Sequence, residues 1–204
     1  DIDLSPNGKY VAVAAVNAKN GEMSSKLYVF NLSKTDNYIS CFDYNGTTLL
    51  RVNYIKGNNI VAVGDNLKSY IKNNMDRQDD LNFNSDKLHN YCVTQDGSSI
   101  LALSKYGSSS LSSLTFYSNR NKERFNVDFD KEIRGVDSDG KYIAVLFDSE
   151  VKTFNNRGKQ VGTIYFTGEP KKVTVDGSKT YILTGVNIKS YKTKGTTDER
   201  QVSE

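Results

Sequence analysis

A short polar turn that leads into an apolar run occurs five times along this chain. The first copy is PNGKYVAVAA and the fourth is SDGKYIAVLF. The turn glycines are Gly8, Gly57, Gly97, Gly140 and Gly177, at intervals of 49, 40, 43 and 37 residues. Because Gly and Asn adopt a positive φ at little cost, these turns predict β-hairpins. A recurrence of about 40 residues predicts an architecture of repeated units.

A second marker follows each turn and predicts a further strand in each unit. It is an apolar residue, two other residues, and then Phe or Tyr: Leu27 to Phe30, Leu67 to Tyr70, Leu114 to Tyr117, Val151 to Phe154 and Ile188 to Tyr191. Residues three apart on a strand point to opposite faces, so such a strand needs apolar cover on both sides. No window of the chain has a persuasive helical period, so other sheets must provide the cover.

The two markers together predict an all-β fold, a β-propeller of four-stranded antiparallel blades. About five blades fit, with approximate limits at residues 1–48, 49–88, 89–132, 133–170 and 171–204. Expected strands are 2–5, 10–16, 27–32 and 38–44 in the first blade, and 133–137, 142–147, 151–155 and 161–166 in the fourth. The polar end TTDERQVSE is a poor outer strand. Either five blades close weakly, or the chain is an arc of a ring of roughly six to eight, which protects its edges better.

The first copy carries a resemblance to a known class of repeats. LSPNGKYVAVAA followed by KLYVFNL resembles the bacterial WD40-like and TolB-type propeller repeats. The resemblance extends over essentially the whole chain, but the other copies are more distant, and the chain has no Trp and therefore no Trp-Asp dipeptide. It is also similar to membrane-anchored extracytoplasmic propellers of Gram-positive bacteria. That likeness implies an extracytoplasmic location and a membrane tether N-terminal to this chain.

Composition and net charge limit the classes of function that this chain can have. The chain is 37% hydrophobic and 25% charged, which is typical of a folded globular protein. Its net charge of +3 is too small and too dispersed to predict nucleic-acid binding. Cys41 and Cys92 are too few for a metal site or a disulfide framework. Since they fall in non-adjacent blades, we expect them to be buried and unpaired.

The starts of the innermost strands provide the candidate binding residues. Six positions before each turn glycine stand Ile2, Arg51, Tyr91, Arg134 and Lys171. Three of these are basic, and in a propeller they lie near one mouth of the central channel, where Lys131 and Lys172 add to the charge. A rim of cations attracts an anionic ligand or partner. The alternative is that they are ordinary charges at strand edges.

Two blades have longer connections between the second and third strands. These are NAKNGEMSS from Asn17 and KYGSSSLSS from Lys105. Both are predicted to be loops, either plain solvated loops or recognition loops.

Motifs for catalysis or metal binding are weak. The DSDG segment at 137–140 starts like a calcium loop but lacks the downstream ligands, so a hairpin turn is expected there. His89 is the sole histidine, and its separation from Cys92 by three positions on a strand does not orient a catalytic dyad. Asp128 and Asp130 are the carboxylate pair considered for glycoside hydrolysis, although their alternation also fits a solvated edge. No cofactor and no metal are expected.

These features predict a non-catalytic binding or scaffolding propeller. Its expected partner is a protein or an anionic polymer of the cell envelope, with no nucleic acid and with a membrane contact only through the N-terminal tether. The alternative function is a hydrolase or lyase that acts on glycans with carboxylates in the channel.

Overall fold

The computed structural model describes residues 1–19, 21–78, 80–84, 86–104 and 111–199, and these residues form mostly β-strands. A 3₁₀ turn lies at Lys56–Asn58. No helix among the described residues is long and apolar enough to cross a membrane. The all-β prediction is therefore confirmed.

The strands form successive sheets along the chain, and the consecutive strands of each sheet pair in an antiparallel manner. Blade one contains β1 (Ile2–Leu4), β2 (Tyr10–Lys19), β3 (Glu22–Asn31) and β4 (Lys34–Asn45). Blade two contains β5 (Leu49–Ile55), β6 (Asn59–Gly64), β7 (Leu67–Lys72) and an outer position shared by β8 (Asp76–Arg77) and β9 (Leu81–Asn82). Blade three contains β10 (Lys87–Val93), β11 (Ser99–Ser104), β12 (Ser112–Tyr117) and β13 (Glu123–Phe129).

The last two blades complete the described chain. Blade four contains β14 (Gly135–Ser138), β15 (Tyr142–Leu146), β16 (Glu150–Asn155) and β17 (Gln160–Tyr165). Blade five contains β18 (Pro170–Asp176), β19 (Lys179–Thr184) and β20 (Ile188–Lys192), and β21 (Gly195–Asp198) follows them.

Blades one and two form one compact unit together with two turns of blade three, at Gln95–Gly97 and Asn119–Asn121. We call this unit 1. Its core lies between the two sheets, where the residues with no exposed surface are Ala12, Leu27, Val29, Val52, Ile60, Ala62 and Ile71. In blade one Ala12 pairs with Val29 and Ala14 pairs with Leu27, so alternate positions of β2 and β3 supply this face.

The rest of blade three, with blades four and five, forms a second compact unit, unit 2. It has two apolar layers. Val145 packs in the layer between blades three and four, whereas its neighbours Ala144 and Leu146 pack in the layer between blades four and five. Blade four is therefore covered by a sheet on each face, as the second sequence marker predicts.

Both sequence markers have the expected structural roles. All five turn glycines have a positive φ, from 54° at Gly177 to 87° at Gly140. None of the five marker aromatics is exposed: Tyr70, Phe154 and Tyr191 are buried, and Phe30 and Tyr117 are half-buried. The hairpin turns are thus confirmed, and the aromatic residue of the second marker is packed in all five blades.

The predicted loop at Asn17 is wrong. β2 and β3 continue as a hairpin through this region, with Asn17 opposite Ser24 and Lys19 opposite Glu22. The segment lacks the apolar alternation that would indicate strands, and its residues Asn17, Ala18, Glu22 and Met23 are exposed. Most of the second predicted loop, from Lys105, lies outside the described residues.

Blade five departs from the four-stranded prediction. Its sheet has three strands among the described residues, because β21 pairs in parallel with β17 of blade four, with Gly162 opposite Gly195. The polar tail does not form the outer strand of blade five, which agrees with the prediction from its composition. Instead, β21 extends the sheet of blade four. Ile188 is 69% exposed, so the apolar half of the second marker is not buried in this blade.

Candidate functional site

Four lysines of unit 2 line one cavity of about 460 Å³, which we call the lysine pocket. They are Lys141, Lys179, Lys192 and Lys194. The first two follow the turns that join β14 to β15 and β18 to β19, and the other two lie at and just after the end of β20. Blades four and five thus contribute to the pocket at the end of the sheets where their first strands turn into their second strands.

Asp139 holds these two hairpin turns together. Its Oδ1 accepts the backbone N–H groups of Lys141 at 2.8 Å and Tyr142 at 2.7 Å, while its Oδ2 accepts the N–H of Gly177 at 2.7 Å. Gly140 and Gly177 supply the positive φ that each turn requires. A single carboxylate therefore fixes the backbones from which the lysines project.

Tyr142 forms an aromatic wall of the lysine pocket. Its side chain is only 6% exposed. The Nζ atoms of Lys141 and Lys194 lie 5.3 Å and 5.6 Å from its ring centroid, within the distance of a cation–π interaction. The Tyr142 hydroxyl makes no hydrogen bond to another atom in the described part of the chain. An aromatic face and an available hydroxyl thus lie among the ammonium groups.

The charge of the lysine pocket is largely uncompensated. None of its four lysines is in an ion pair with a described residue. Asp139 offsets part of the charge, but both of its oxygens already accept backbone N–H groups. Ammonium groups that share a cavity repel one another, and a bound anion removes that repulsion. The arrangement is suited to binding a ligand with several negative charges.

The residues predicted to form a rim lie at or near the innermost strands. Arg51 is in β5, Tyr91 is half-buried in β10, Arg134 directly precedes β14, and Lys171 is in β18. Arg51 belongs to unit 1 and the other three belong to unit 2. A common ring of these side chains therefore stays a prediction.

Acidic neighbours compensate the basic members of this set. Arg134 Nε lies 2.8 Å from Asp148 Oδ1, and its Nη1 lies 3.1 Å from Glu132 Oε1. The other two pairs are Lys171 with Glu169 at 2.6 Å and Arg51 with Asp1 at 3.8 Å. These cations differ in this respect from those of the lysine pocket.

A smaller cavity of about 300 Å³ in unit 2 contains the carboxylates of Glu132, Asp148 and Glu150. Glu150 is buried and lies 2.8 Å from Lys131 Nζ. All three acids are thus in ion pairs with basic side chains. The pair considered from the sequence lies elsewhere, because Asp128 is on the outer strand β13, Asp130 follows it, and both are exposed.

His89 and Cys92 contact different partners. His89 Nδ1 is 4.0 Å from Glu132 Oε1, whereas Cys92 Sγ is 3.8 Å from Asp137 Oδ1. Burial, with the nearby Asp137 charge, raises the pKa of the Cys92 thiol to about 12, so it is not a thiolate at neutral pH. Cys41 and Cys92 are free and half-buried rather than fully buried.

The described residues contain no group of three or more His, Cys, Asp or Glu side chains that would hold a metal ion. In the DSDG segment the carboxylates of Asp137 and Asp139 accept backbone N–H groups instead. The segment is the hairpin turn that the sequence predicts.

Sequence reasoning missed the lysine pocket, although a signal was present. A lysine follows the turn glycine directly at Lys9 and Lys141 and two positions later at Lys179. A lysine at such a position is also ordinary for a solvated hairpin turn. Which of them meet in a cavity depends on the neighbouring blade.

Comparison with known families gives a match over most of the chain. Residues 1–187 match the family of unknown function (DUF5711). The chain belongs to this family. The DUF5711 match includes Lys141, Tyr142 and Lys179 but ends before Lys192 and Lys194. No curated protein matches the sequence.

Solved structures resemble this DUF5711 chain in fold. A eukaryotic initiation factor aligns with a TM-score of 0.69 at 13% identity, over 96% of this chain and 53% of that chain. The C-terminal WD40 domain of Sif2 aligns with a TM-score of 0.63 at 9% identity, over 93% and 67%. BamB from Moraxella catarrhalis aligns with a TM-score of 0.57 at 12% identity, over 92% and 55%.

These similarities establish the fold and no more than the fold. The DUF5711 chain is a β-propeller of antiparallel blades with about five blades present. It spans about half the length of the initiation factor and of BamB.

Proposed function

We propose that this chain is a non-catalytic binding propeller that engages an anionic polymer through the lysine pocket. The observation that supports the proposal is the set of four lysines, without acidic partners among the described residues, around the buried ring of Tyr142. A lysine ammonium group is a compact charge with no fixed fork geometry. Such groups attract phosphate or carboxylate without demanding one orientation, which suits a polymer with many equivalent anionic groups.

The proposed polymer belongs to the cell envelope, and the proposed location of the chain is extracytoplasmic. The likeness of LSPNGKYVAVAA and KLYVFNL to bacterial propeller repeats supports this location. Protease treatment of intact cells that express the complete gene product tests it. We expect that protease added to intact cells degrades the chain. Full protection of the chain until the cells are lysed would contradict the extracytoplasmic location.

Binding is tested with polyphosphate and poly-L-glutamate as probes and neutral dextran as the uncharged comparison. The site variant is Lys192→Gln/Lys194→Gln. The matched control is Lys171→Gln/Lys172→Gln, which removes the same charge from blade five but from β18 instead. At roughly 1 kcal/mol per lysine, the site variant should bind the polyanion roughly thirtyfold more weakly. The control should change the affinity less than about threefold.

The results separate the alternatives. Isothermal titration of the unmodified chain should show binding to at least one polyanion, a steep loss of affinity with added salt, and no binding to dextran. Absence of binding to both polyanions would overturn the proposal and favour a protein partner. An equal loss in the control would assign the effect to net charge, or to the predicted rim at Lys171, instead of the pocket.

A second candidate function is hydrolysis or elimination of a glycan, with Glu132, Asp148 and Glu150 as its carboxylates. Their shared cavity of about 300 Å³ favours it. Their ion pairs with Lys131 and Arg134 argue against it, because a glycosidase needs one protonated carboxyl group as a general acid. Release of reducing ends from a uronic-acid polymer, lost in Asp148→Asn, would replace the binding proposal with the enzymatic one.

A further inference from the structure

Unit 1 contains a second cavity, and we infer that it binds a small hydroxylated ligand with one oxyanion group, such as an acidic or phosphorylated sugar. This cavity, which we call the arginine pocket, has a volume of about 420 Å³ and includes Tyr70, Lys72, Gln78 and Arg120 in its lining. The volume is within the range of roughly 300–1,000 Å³ that is typical of small-molecule sites. The inference does not depend on the proposed function of the lysine pocket.

Three separate segments build the arginine pocket. Tyr70 and Lys72 lie on β7, Gln78 follows β8, and Arg120 lies in the turn between β12 and β13 that belongs to unit 1. The N–H of Gln78 donates to the carbonyl of Tyr70 at 2.9 Å, which holds these two residues side by side.

Gly97 allows the Arg120 turn to approach blade two. A Cβ at Gly97 would lie 3.2 Å from Asn119 Cβ and 2.4 Å from Ile55 Cδ1. The absence of a side chain at Gly97 therefore lets Asn119, and with it Arg120, pack close to the sheet. The pocket wall is positioned by packing and is not a free loop.

Tyr70 contributes an aromatic ring and a hydroxyl to the pocket lining. Only 9% of its surface is exposed, and it lines the cavity. Its hydroxyl has no hydrogen-bond partner among the described residues. Since the residue lines the cavity, its hydroxyl is available to exchange a hydrogen bond with a hydroxyl or an oxyanion of a ligand. The second sequence marker assigned Tyr70 only to packing.

Lys72 and Arg120 provide the charge from two sides of the cavity. Both are exposed, and neither is in an ion pair within the described ranges. The planar guanidinium group of Arg120 can donate two parallel hydrogen bonds to a carboxylate or a phosphate. Lys72 adds a point charge, and the Gln78 amide offers both a donor and an acceptor to ring hydroxyls. Together these groups match one oxyanion on a hydroxylated ring.

The test titrates the chain with glucuronate, glucose 6-phosphate and glucose and follows binding by isothermal titration and saturation-transfer NMR. The variants are Arg120→Gln and Tyr70→Phe. The control is Lys122→Gln, which removes an equal charge from the same turn but is outside the pocket lining. Circular dichroism establishes that each variant is folded, and Arg120 is exposed, so its replacement leaves the core intact.

We expect binding of glucuronate, glucose 6-phosphate or both, and no binding of glucose. The affinity should fall at least about tenfold in Arg120→Gln, which removes the charged two-pronged donor. It should fall about three- to tenfold in Tyr70→Phe, which removes one hydroxyl. It should be unchanged in Lys122→Gln and in Lys192→Gln/Lys194→Gln. Preference for one of the two anions would identify the oxyanion. Equal binding of glucose, absence of binding by both anions, or an equal loss in Lys122→Gln would each overturn the inference.

Discussion

The carboxylate of Asp137, on the first strand of blade four, accepts the backbone N–H of Val175, on the first strand of blade five, at 2.9 Å. The same oxygen accepts the hydroxyl of Thr174 at 2.6 Å. Innermost strands have a free edge whose N–H groups have no ladder partner. Other blades use the same device: Asp3 accepts the N–H of Tyr54 at 2.7 Å, and Asn90 accepts that of Val136 at 3.2 Å. Short polar side chains thus join neighbouring blades within each unit.

Asp137→Ala should lower the free energy of unfolding by about 1–3 kcal/mol, because the N–H of Val175 becomes buried without a partner. Urea denaturation followed by circular dichroism measures the change. Asp176→Ala is the control, since Asp176 is exposed and lies next to Val175. The control should stay within about 0.5 kcal/mol of the unmodified chain. Equal effects of the two substitutions would contradict the assigned role of Asp137.

Gly97 and Gly140 occupy the same position of the repeat but differ in their surroundings. Both have a positive φ, of 83° and 87°. A Cβ at Gly140 would meet nothing within 4 Å, whereas one at Gly97 would lie 2.4 Å from Ile55. Gly140→Ala should therefore cost only the backbone penalty of about 1–2 kcal/mol. Gly97→Ala should cost roughly 1–3 kcal/mol more through overpacking. Thermal unfolding that shifts equally for both would show that the contacts at Gly97 are easily relieved.

The blades were predictable from sequence because their chemical requirements are local. A positive φ favours glycine wherever the hairpin turns, and Gly8, Gly140 and the other turn glycines meet that requirement. A strand covered on both faces needs apolar residues of both parities, which Val151 and Phe154 provide. The prediction for the last blade was wrong because the same pattern, at Ile188, does not specify whether a neighbouring sheet is present to cover that strand.

The candidate sites were less predictable because the tertiary structure determines which charged side chains have an oppositely charged neighbour. Lys171 and Lys192 are similar in sequence, each on a strand of blade five. Lys171 pairs with Glu169, whereas Lys192 shares a cavity with other lysines. Tyr70 has the same marker position as Phe154, yet it lines a cavity instead of a dry layer. These differences arise from which segments of neighbouring blades meet.

Truncating the apolar residue of the second marker to Ala should destabilise the chain where a neighbouring sheet covers that residue, and should have little effect where it is exposed. Val151 has no exposed surface, and Ile188 is 69% exposed. Val151→Ala should lower the free energy of unfolding by about 2 kcal/mol, because buried methyl groups are lost and a cavity remains. Ile188→Ala should change it by less than about 0.5 kcal/mol. Chemical denaturation of the two variants measures the difference, and a large loss in Ile188→Ala would show that its face is covered in solution.

Lys68 should make stability depend on pH in the alkaline range. It lies in β7 with no exposed surface, and burial lowers the pKa of its ammonium group to about 8, although the charge of Asp96 opposes this shift. An unfolded lysine titrates at about 10.4. Between these values the unfolded chain binds a proton that the folded chain does not, so the free energy of unfolding rises with pH, by about 3 kcal/mol in all.

Below about pH 8 both states hold the proton, and the burial penalty of Lys68 is constant. Lys68→Met removes the titrating group while keeping its length, so it should be more stable than the unmodified chain at pH 7. Its advantage should shrink from about pH 8 upward and level off above the unfolded pKa. Subtracting the two pH profiles cancels the contribution of the tyrosines. Parallel profiles between pH 7 and pH 11 would mean that Lys68 keeps an ordinary pKa in the folded chain.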